Sequence, residues 1–254
     1  MLTFVNVKKH YQGKAGEVQA LDGLSFAMER EESLVLIGPS GCGKSTALLL
    51  AAGLLEADEG SILIEGRQYT APRLGTGLIL QDYGLLPWKT VFENAALGLR
   101  IRKLPRAPRE EQTREILEQV GLADFASNYP GELSGGMRQR LALARALALD
   151  VDLLLMDEPL SALDLELRET LQDLLLTLWR SRGYSQLIVT HSIDEAVYLG
   201  QRILVMGPRP GTLVAELLNP LAGSSGYRSS SEFFAKATQL RTLLLDTGDS
   251  DGVQ

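Results

Sequence analysis

The sequence predicts an α/β fold with a mainly parallel core sheet, a small antiparallel β subdomain and an inserted helical lobe. Three observations carry that prediction. Three short apolar runs, Leu34-Val35-Leu36-Ile37, Leu153-Leu154-Leu155-Met156 and Leu187-Ile188-Val189, show no alternation. Such runs suit strands covered on both faces, as in a parallel sheet. Alternating patterns near residues 2–7, 24–28 and 61–65 suit a smaller antiparallel sheet. The segment from about 91 to 149 reads as mostly helical and interrupts the strands.

Each apolar run ends on polar or glycine residues: Gly38-Pro39-Ser40, Asp157-Glu158 and Thr190-His191. Ligands of open α/β sheets sit beyond the carboxyl ends of the strands, so three strand ends converge on one site. Thr90-x-x-Glu93 and Ser192-x-x-Glu195 read as capping boxes that start helices, and Ser161-x-x-Asp164 is a close relative. Residues 202–206, the loop Gly207-Pro208-Arg209-Pro210-Gly211 and residues 212–216 read as a hairpin. Beyond Pro220 the chain turns to Gly and Ser, then carries a short helix over 231–245 and a polar tail. The expected division is a domain over 1–220, with the lobe inserted at about 91–149, and an extension over 221–254.

At 254 residues, 45% hydrophobic and 22% charged, the chain has ordinary globular composition and enough length for a substantial core. Its formal net charge of −7 argues against broad binding to nucleic acid, which depends on neutralising phosphates with Lys and Arg. Cys42 is the only cysteine, which excludes an intramolecular disulfide and a cysteine-based metal cluster. The first residues lack the basic-then-apolar pattern of a signal peptide. The richest apolar runs fall short of the roughly 20 residues that span a bilayer, so a membrane role is expected only through a partner.

Gly38-Pro39-Ser40-Gly41-Cys42-Gly43-Lys44-Ser45-Thr46 matches the phosphate-binding loop G-x-x-x-x-G-K-[ST]. Its glycines let backbone N–H groups turn inward around a phosphate, and the following helix points its positive end there. Lys44 is placed to reach the β and γ phosphates of a nucleotide, and the Ser45 hydroxyl to ligate Mg²⁺. The bland alternative, a glycine-rich turn, does not need the apolar strand before it and the helical Ala47-Leu48-Leu49-Leu50 after it. At the end of the second run, Asp157 suits a Mg²⁺-holding acid and Glu158 a general base for an attacking water. Two solvated acids at a strand end are the plain alternative.

Leu133-Ser134-Gly135-Gly136-Met137-Arg138-Gln139-Arg140 resembles the signature of the ATP-binding-cassette (ABC) ATPases, which other P-loop NTPases lack. Physically it is a Ser and two glycines opening a helix, expected over 137–149, whose N–H groups form a second phosphate cradle. The resemblance covers nearly all of the chain to about Pro220. It implies that Ser134, Gly135 and Gly136 close on ATP held by a partner subunit, giving a head-to-tail dimer with two sandwiched nucleotides. Gln81 resembles the family's glutamine that touches Mg²⁺, Asp164 lies in the loop that passes information across the dimer, and His191 resembles the switch histidine at the γ-phosphate. Tyr11 resembles the aromatic that stacks on adenine; otherwise His10-Tyr11 simply ends an edge strand.

Leu85-Leu86-Pro87-Trp88-Lys89-Thr90-Val91-Phe92-Glu93-Asn94 is similar to the importers of nitrate, aliphatic sulfonates and taurine. Met137, where many cassettes carry Gln, and the stretch from Ile193 through Gly211 are similar to the same group. This implies a peripheral subunit on the cytoplasmic face of the cell membrane, paired with permease subunits and linked indirectly to a substrate-binding protein. Trp88 lies where the family docks its permease; burial within the domain is its alternative. Two other readings compete. A soluble cassette ATPase acting on nucleic acid or ribosomes is disfavoured by the single compact acidic cassette. A non-hydrolysing regulatory subunit is disfavoured by Lys44, Gln81, Glu158 and His191 occurring together. Cys42 lies inside the loop, so a maleimide on its thiol is expected to block ATP, and bound Mg-ATP to protect it.

Overall fold

The computed structural model describes residues 1–13, 16–161 and 163–248. The polar tail expected at the end of the chain falls outside the described residues beyond 248. Strands β1 (Leu2–Gly13), β2 (Gly16–Met28), β4 (Glu59–Ile64) and β5 (Arg67–Gln68) form an antiparallel sheet in the order β2-β1-β4-β5. The sequence pattern shows only part of β1 and β2. Register shifts between Phe4 and Val7 and between Val7 and Lys9 break the simple alternation and carry the pair out to Tyr11 opposite Val18.

The second sheet contains β3 (Ser33–Ile37), β6 (Thr76–Ile79), β7 (Leu153–Asp157), β8 (Ser185–Thr190), β9 (Arg202–Met206) and β10 (Leu213–Leu218). Its order is β10-β9-β3-β8-β7-β6, parallel throughout except for the β9–β10 hairpin. The three apolar runs are therefore adjacent strands. Ile37 pairs with Thr190 and Asp157 with Val189, which brings their carboxyl ends side by side. The α/β architecture expected from the apolar runs is borne out.

Two apolar clusters explain why those runs lack alternation. Leu34 and Leu36 face the antiparallel sheet and α1 (Lys44–Ala51), packing with Phe4, Leu24, Leu48, Leu155 and Leu187. Val35 and Ile37 face the opposite side and pack with Leu154, Met156, Ile188 and the helices there. Every residue of β3 is buried, so both faces must be apolar. Truncating one such side chain to Ala costs roughly 2–5 kcal/mol.

Between β6 and β7 the chain forms α2 (Val91–Ala95), α3 (Leu97–Ile101), α4 (Arg106–Gln119) and α5 (Gly135–Leu147), with short 3₁₀ turns before α5. The capping box at the start of α2 is complete: Thr90 Oγ1 accepts from Glu93 N–H, and Glu93 returns the contact to Thr90 N–H. Two other expected boxes differ. Ser161 donates its hydroxyl to Glu158 O, and α6 (Leu165–Arg182) is capped instead by Asp164, which accepts from Leu167 N–H at 2.9 Å. Ser192 caps α7 (Ile193–Leu199), but Glu195 bonds Thr190 rather than reaching back to Ser192 N–H. In each case a neighbour other than the expected one takes the contact.

The final helix α8 (Ser231–Gly248) is longer than the short helix expected, with Phe233, Ala237 and Leu240 buried beside α7. No helix among the described residues is long and apolar enough to cross a membrane.

Candidate active site

The phosphate loop links β3 to α1. Gly43 sits at the helix N-cap with φ 106° and no side-chain cap, so the first N–H groups of α1 are left for an incoming anion. A Cβ at Gly43 would lie 2.7 Å from Ala20 O in β2, so only glycine fits both the backbone angle and the space. Lys44 is 6% exposed and its Nζ donates to Gly38 O at 2.8 Å and Pro39 O at 2.9 Å. These carbonyls satisfy the buried ammonium, as a buried cation requires.

A cavity of about 280 Å³ lies over this loop. Tyr11, Val18 and Ala20 from the antiparallel sheet line it together with Ser40, Gly41 and Gly43 to Thr46 of the loop. The Tyr11 hydroxyl lies 3.4 Å from Thr46 Oγ1. Glu158 and Arg209 complete the rim.

Glu158 adopts φ 47°, the left-handed region that non-glycine residues rarely occupy. Its N–H donates to Val189 O at 2.8 Å, so the β7–β8 ladder runs on through this residue and holds it. The side chain meets His191, with Nδ1 3.0 Å from Glu158 Oε1. Sequence reasoning placed these residues separately, and the adjacency of β7 and β8 makes them a pair.

Asp157 is partly buried, and burial pushes its carboxyl above the usual range, opposed by the Ser45 hydroxyl beside it. Its Oδ1 is buried with no hydrogen-bond partner. An orphaned carboxylate oxygen next to a hydroxyl at a phosphate loop is the donor set of a hard divalent cation held mainly by phosphate and water. Among the described residues no cluster of three or more His, Cys, Asp or Glu forms a protein cage for a metal. Ser45 and Asp157 thus fit Mg²⁺ shared with a nucleotide.

Other expected site residues lie elsewhere. Gln81 is exposed, two residues past the end of β6, and does not line the cavity. Ser134, Gly135 and Gly136 open α5 away from this cavity, with Ser134 Oγ accepting from Met137 N–H at 3.3 Å. The Ser134 hydroxyl proton and the first N–H groups of α5 remain available to a ligand. The helix begins at Gly135, two residues before the start expected from sequence. Asp164 is exposed at the α6 cap, and Ala162 in the same loop falls outside the described residues.

The expectation for Cys42 needs correcting. Its side chain is 1% exposed and turns away from the cavity into the cluster beneath α1, so only its backbone belongs to the loop. Burial also pushes the thiol above its ordinary pKa, disfavouring the reactive thiolate. The expected outcome is therefore reversed: maleimide leaves native Cys42 unlabelled with or without Mg-ATP, and labels it after denaturation. Intact-mass spectrometry reads this directly, and rapid native labelling would contradict the burial.

Arg209 is a cavity-lining residue that sequence reasoning passed over. Its Nε donates to Gly41 O at 3.2 Å, 168 positions away in the chain. The loop carrying it is fixed by Gly211, whose N–H donates to Ala20 O at 2.9 Å and whose O accepts from Asp22 N–H at 3.1 Å. A Cβ at Gly211 would fall 2.1 Å from Cys42 O, so hairpin and phosphate loop are in backbone contact. The signal was the Gly-Pro-Arg-Pro-Gly turn following a strand, readable as a loop but not as a neighbour of the site.

Comparison with known proteins agrees with this geometry. The ABC transporter family model matches residues 21–161, which include the phosphate loop and the Asp157–Glu158 strand end. The taurine import ATP-binding protein TauB of Rhizobium johnstonii is 43% identical over 239 residues, 91% of each chain. The aliphatic sulfonates import ATP-binding protein SsuB of Bacillus thuringiensis subsp. konkukian is 40% identical over 247 residues, 97% of this chain and 95% of that protein. A solved dimer of the ATP-binding cassette MJ0796, in a post-hydrolysis state bound to ADP and Pi, has a TM-score of 0.76 and 31% identity, covering 86% of this chain and 98% of that one. The chain therefore belongs to the ABC transporter family, as one of its ATP-binding and ATP-hydrolysing subunits.

Proposed function

We propose that this chain drives an importer of taurine, aliphatic sulfonates, nitrate or a similar small solute, as a head-to-tail homodimer beneath a permease pair on the cytoplasmic face of the membrane. The observation that carries the solute class is the likeness, over more than nine-tenths of the chain, to the TauB and SsuB import ATP-binding proteins. A substrate-binding protein is linked only through the permease. Residues 1–220 act as the ATPase domain, with 91–149 as its inserted lobe and 221–254 as an extension. The net charge of −7 favours this over a cassette acting on nucleic acid. Deleting the gene in its host and measuring uptake of labelled taurine, a short alkanesulfonate and nitrate tests the solute class. Loss of one uptake activity supports it; unchanged uptake of all three refutes it.

In the proposed mechanism Tyr11 stacks on adenine and the backbone N–H groups of Gly38 to Thr46 wrap the phosphates. Lys44 exchanges the Gly38 and Pro39 carbonyls for β and γ phosphate oxygens. Ser45 and Asp157 would hold Mg²⁺, which when bound would supply charge neutralisation at the phosphates. Gln81 joins them only when its exposed loop moves inward. Glu158 accepts a proton from the attacking water, and His191, beside it, contacts the γ-phosphate. Ser134, Gly135 and Gly136 of the other subunit close the second side.

Trp88 serves as the permease anchor in this reading. It is 70% exposed, which removes the alternative that it is a core residue. The loop that presents it is stapled by Asn94, fully buried, whose Oδ1 accepts from Leu86 N–H and whose Nδ2 donates to Leu86 O, Lys89 O and Thr90 O. A rigid loop displaying an exposed Trp suits an interface anchor better than a folding element. Trp88→Ala is expected to keep ATP turnover in solution while losing on the order of 30-fold in permease affinity, the scale of one aromatic anchor. Co-purification from detergent-solubilised membranes measures it; undiminished recovery of the permease would remove Trp88 from the interface.

A further inference from the structure

We propose that Glu195 is a positioning residue, a buried carboxylate that holds the turn carrying His191. This rests on the roles given above to Glu158 and His191.

The turn between β8 and α7 places His191 outward, with its side chain 55% exposed, and both flanking residues are held from below. Thr190 donates its hydroxyl to Glu195 Oε2 at 2.6 Å and accepts from Ser192 N–H at 3.0 Å. Ser192 Oγ in turn accepts from Glu195 N–H at 3.3 Å. Glu195 thus grips the residue before His191 by its side chain and the residue after it by its backbone. A helix cap alone needs none of this: an ordinary capping box would leave the carboxylate at the surface, on Ser192 N–H. Here the carboxylate is 1% exposed. Burying it costs several kcal/mol unless a charge or hydrogen bonds compensate, so its retention calls for a partner.

The Thr190 hydroxyl is that partner, and Arg168 of α6 acts on the carboxylate through space. Glu195 Oε1 and Arg168 Nε are both buried without a hydrogen-bond partner, on helices packed against each other. The other end of Arg168 donates from Nη2 to Leu163 O at 2.7 Å, immediately before Asp164. Ser161, before that segment, donates its N–H and hydroxyl to Glu158 O at 3.3 and 3.2 Å. Glu158 in turn meets His191, whose turn Glu195 holds through Thr190.

The charged groups facing Glu195 are Arg168 from α6, His191 from the turn and Glu158 from the end of β7. Burial dominates and pushes the carboxyl up to about 7, against the Thr190 hydroxyl and Arg168. Because the folded value lies above the ordinary one, the group favours folding most at low pH, and that contribution is lost as pH rises from the ordinary carboxylate value toward 7. Glu195→Gln does not titrate, so its melting temperature relative to the wild type should rise between about pH 5 and about pH 8.

The deciding experiment is a double-mutant cycle on the full chain. Glu195→Gln keeps the shape but replaces the carboxylate that accepts from Thr190 with an amide. It should lower kcat about 10- to 100-fold, the cost of misplacing a catalytic group, with the KM for ATP within about twofold. Thr190→Val should match it, and Thr190→Ser, which restores the hydroxyl, should recover most of the rate. In a His191→Ala background Glu195→Gln should add nothing, since its effect passes through His191. Equal additive losses in both backgrounds, or a normal kcat for Glu195→Gln, would overturn the inference alone. A His191→Ala variant with wild-type turnover would instead overturn the catalytic reading beneath it.

Discussion

Glu158→Gln binds ATP normally and lowers turnover by about 10²- to 10⁴-fold, the range expected for losing a general base. The amide fills the same volume at the end of β7 and preserves the strained φ of 47°, which is held by the Glu158 N–H to Val189 O bond rather than by the carboxylate. What it loses is the ability to take a proton from water. An amide also replaces the carboxylate that faces His191 Nδ1 at 3.0 Å. With chemistry stalled and both nucleotides bound, the dimer should persist on size-exclusion chromatography with ATP and fall apart with ADP. Steady-state phosphate release, ATP binding isotherms and that chromatogram together make the measurement. Near-normal phosphate release from the variant would remove Glu158 from its role.

The second large effect concerns the signature. In one chain Ser134, Gly135 and Gly136 do not line the cavity that Lys44 serves, and in the proposed head-to-tail dimer the cradle they form serves the other subunit's nucleotide. Gly135→Asp is the suitable lesion. A Cβ there meets only Leu163 at 3.7 Å, an ordinary contact, whereas a Cβ at Gly136 would lie 2.6 Å from the Leu167 side chain and disturb α6. The new carboxylate sits where the helix N–H groups of α5 would face phosphate, and repels it. The Gly135→Asp homodimer should bind ATP through its own phosphate loops and hydrolyse on the order of 10²- to 10³-fold more slowly, comparable to losing an oxyanion-type donor. Lys44→Ala should fail earlier, at ATP binding. Mixing the two variants gathers both lesions at one interfacial site and leaves the other intact, so turnover should partly return. A Gly135→Asp homodimer with wild-type turnover would end the head-to-tail account of this chain. Because Cys42 is buried, a crosslink between subunits cannot start from its thiol; it must start from a cysteine introduced at an exposed loop position such as Ser40.

The chemistry of this protein is carried by short contiguous segments, and those are legible in one dimension. Gly38 to Thr46 works through backbone N–H groups whose placement depends on local glycines, so loop and ligand class are written in the same nine letters. The same holds for Ser134-Gly135-Gly136 at the head of α5 and for the apolar strands that end in Asp157-Glu158 and Thr190-His191. Thr90 and Glu93 form their capping box as the pattern predicts, because both partners lie within one turn.

Where the pattern misled, a partner outside the expected pair decided the outcome. Glu195 abandons its cap for Thr190, five residues before it, and Ser161 yields the α6 cap to Asp164. Cys42 is in the phosphate loop by sequence, yet the direction of its side chain follows from how that loop rests on the core. Arg209 enters the site only because Gly211 lets a hairpin touch both β2 and the phosphate loop. By itself the sequence determined the fold class, the nucleotide-binding chemistry and the family, because local backbone geometry and strand burial depend on neighbours in the chain. Only the tertiary structure decided which side chains face the nucleotide, which are turned into the core, and that Glu158 and His191 meet, because those depend on strand order and packing between segments far apart in sequence.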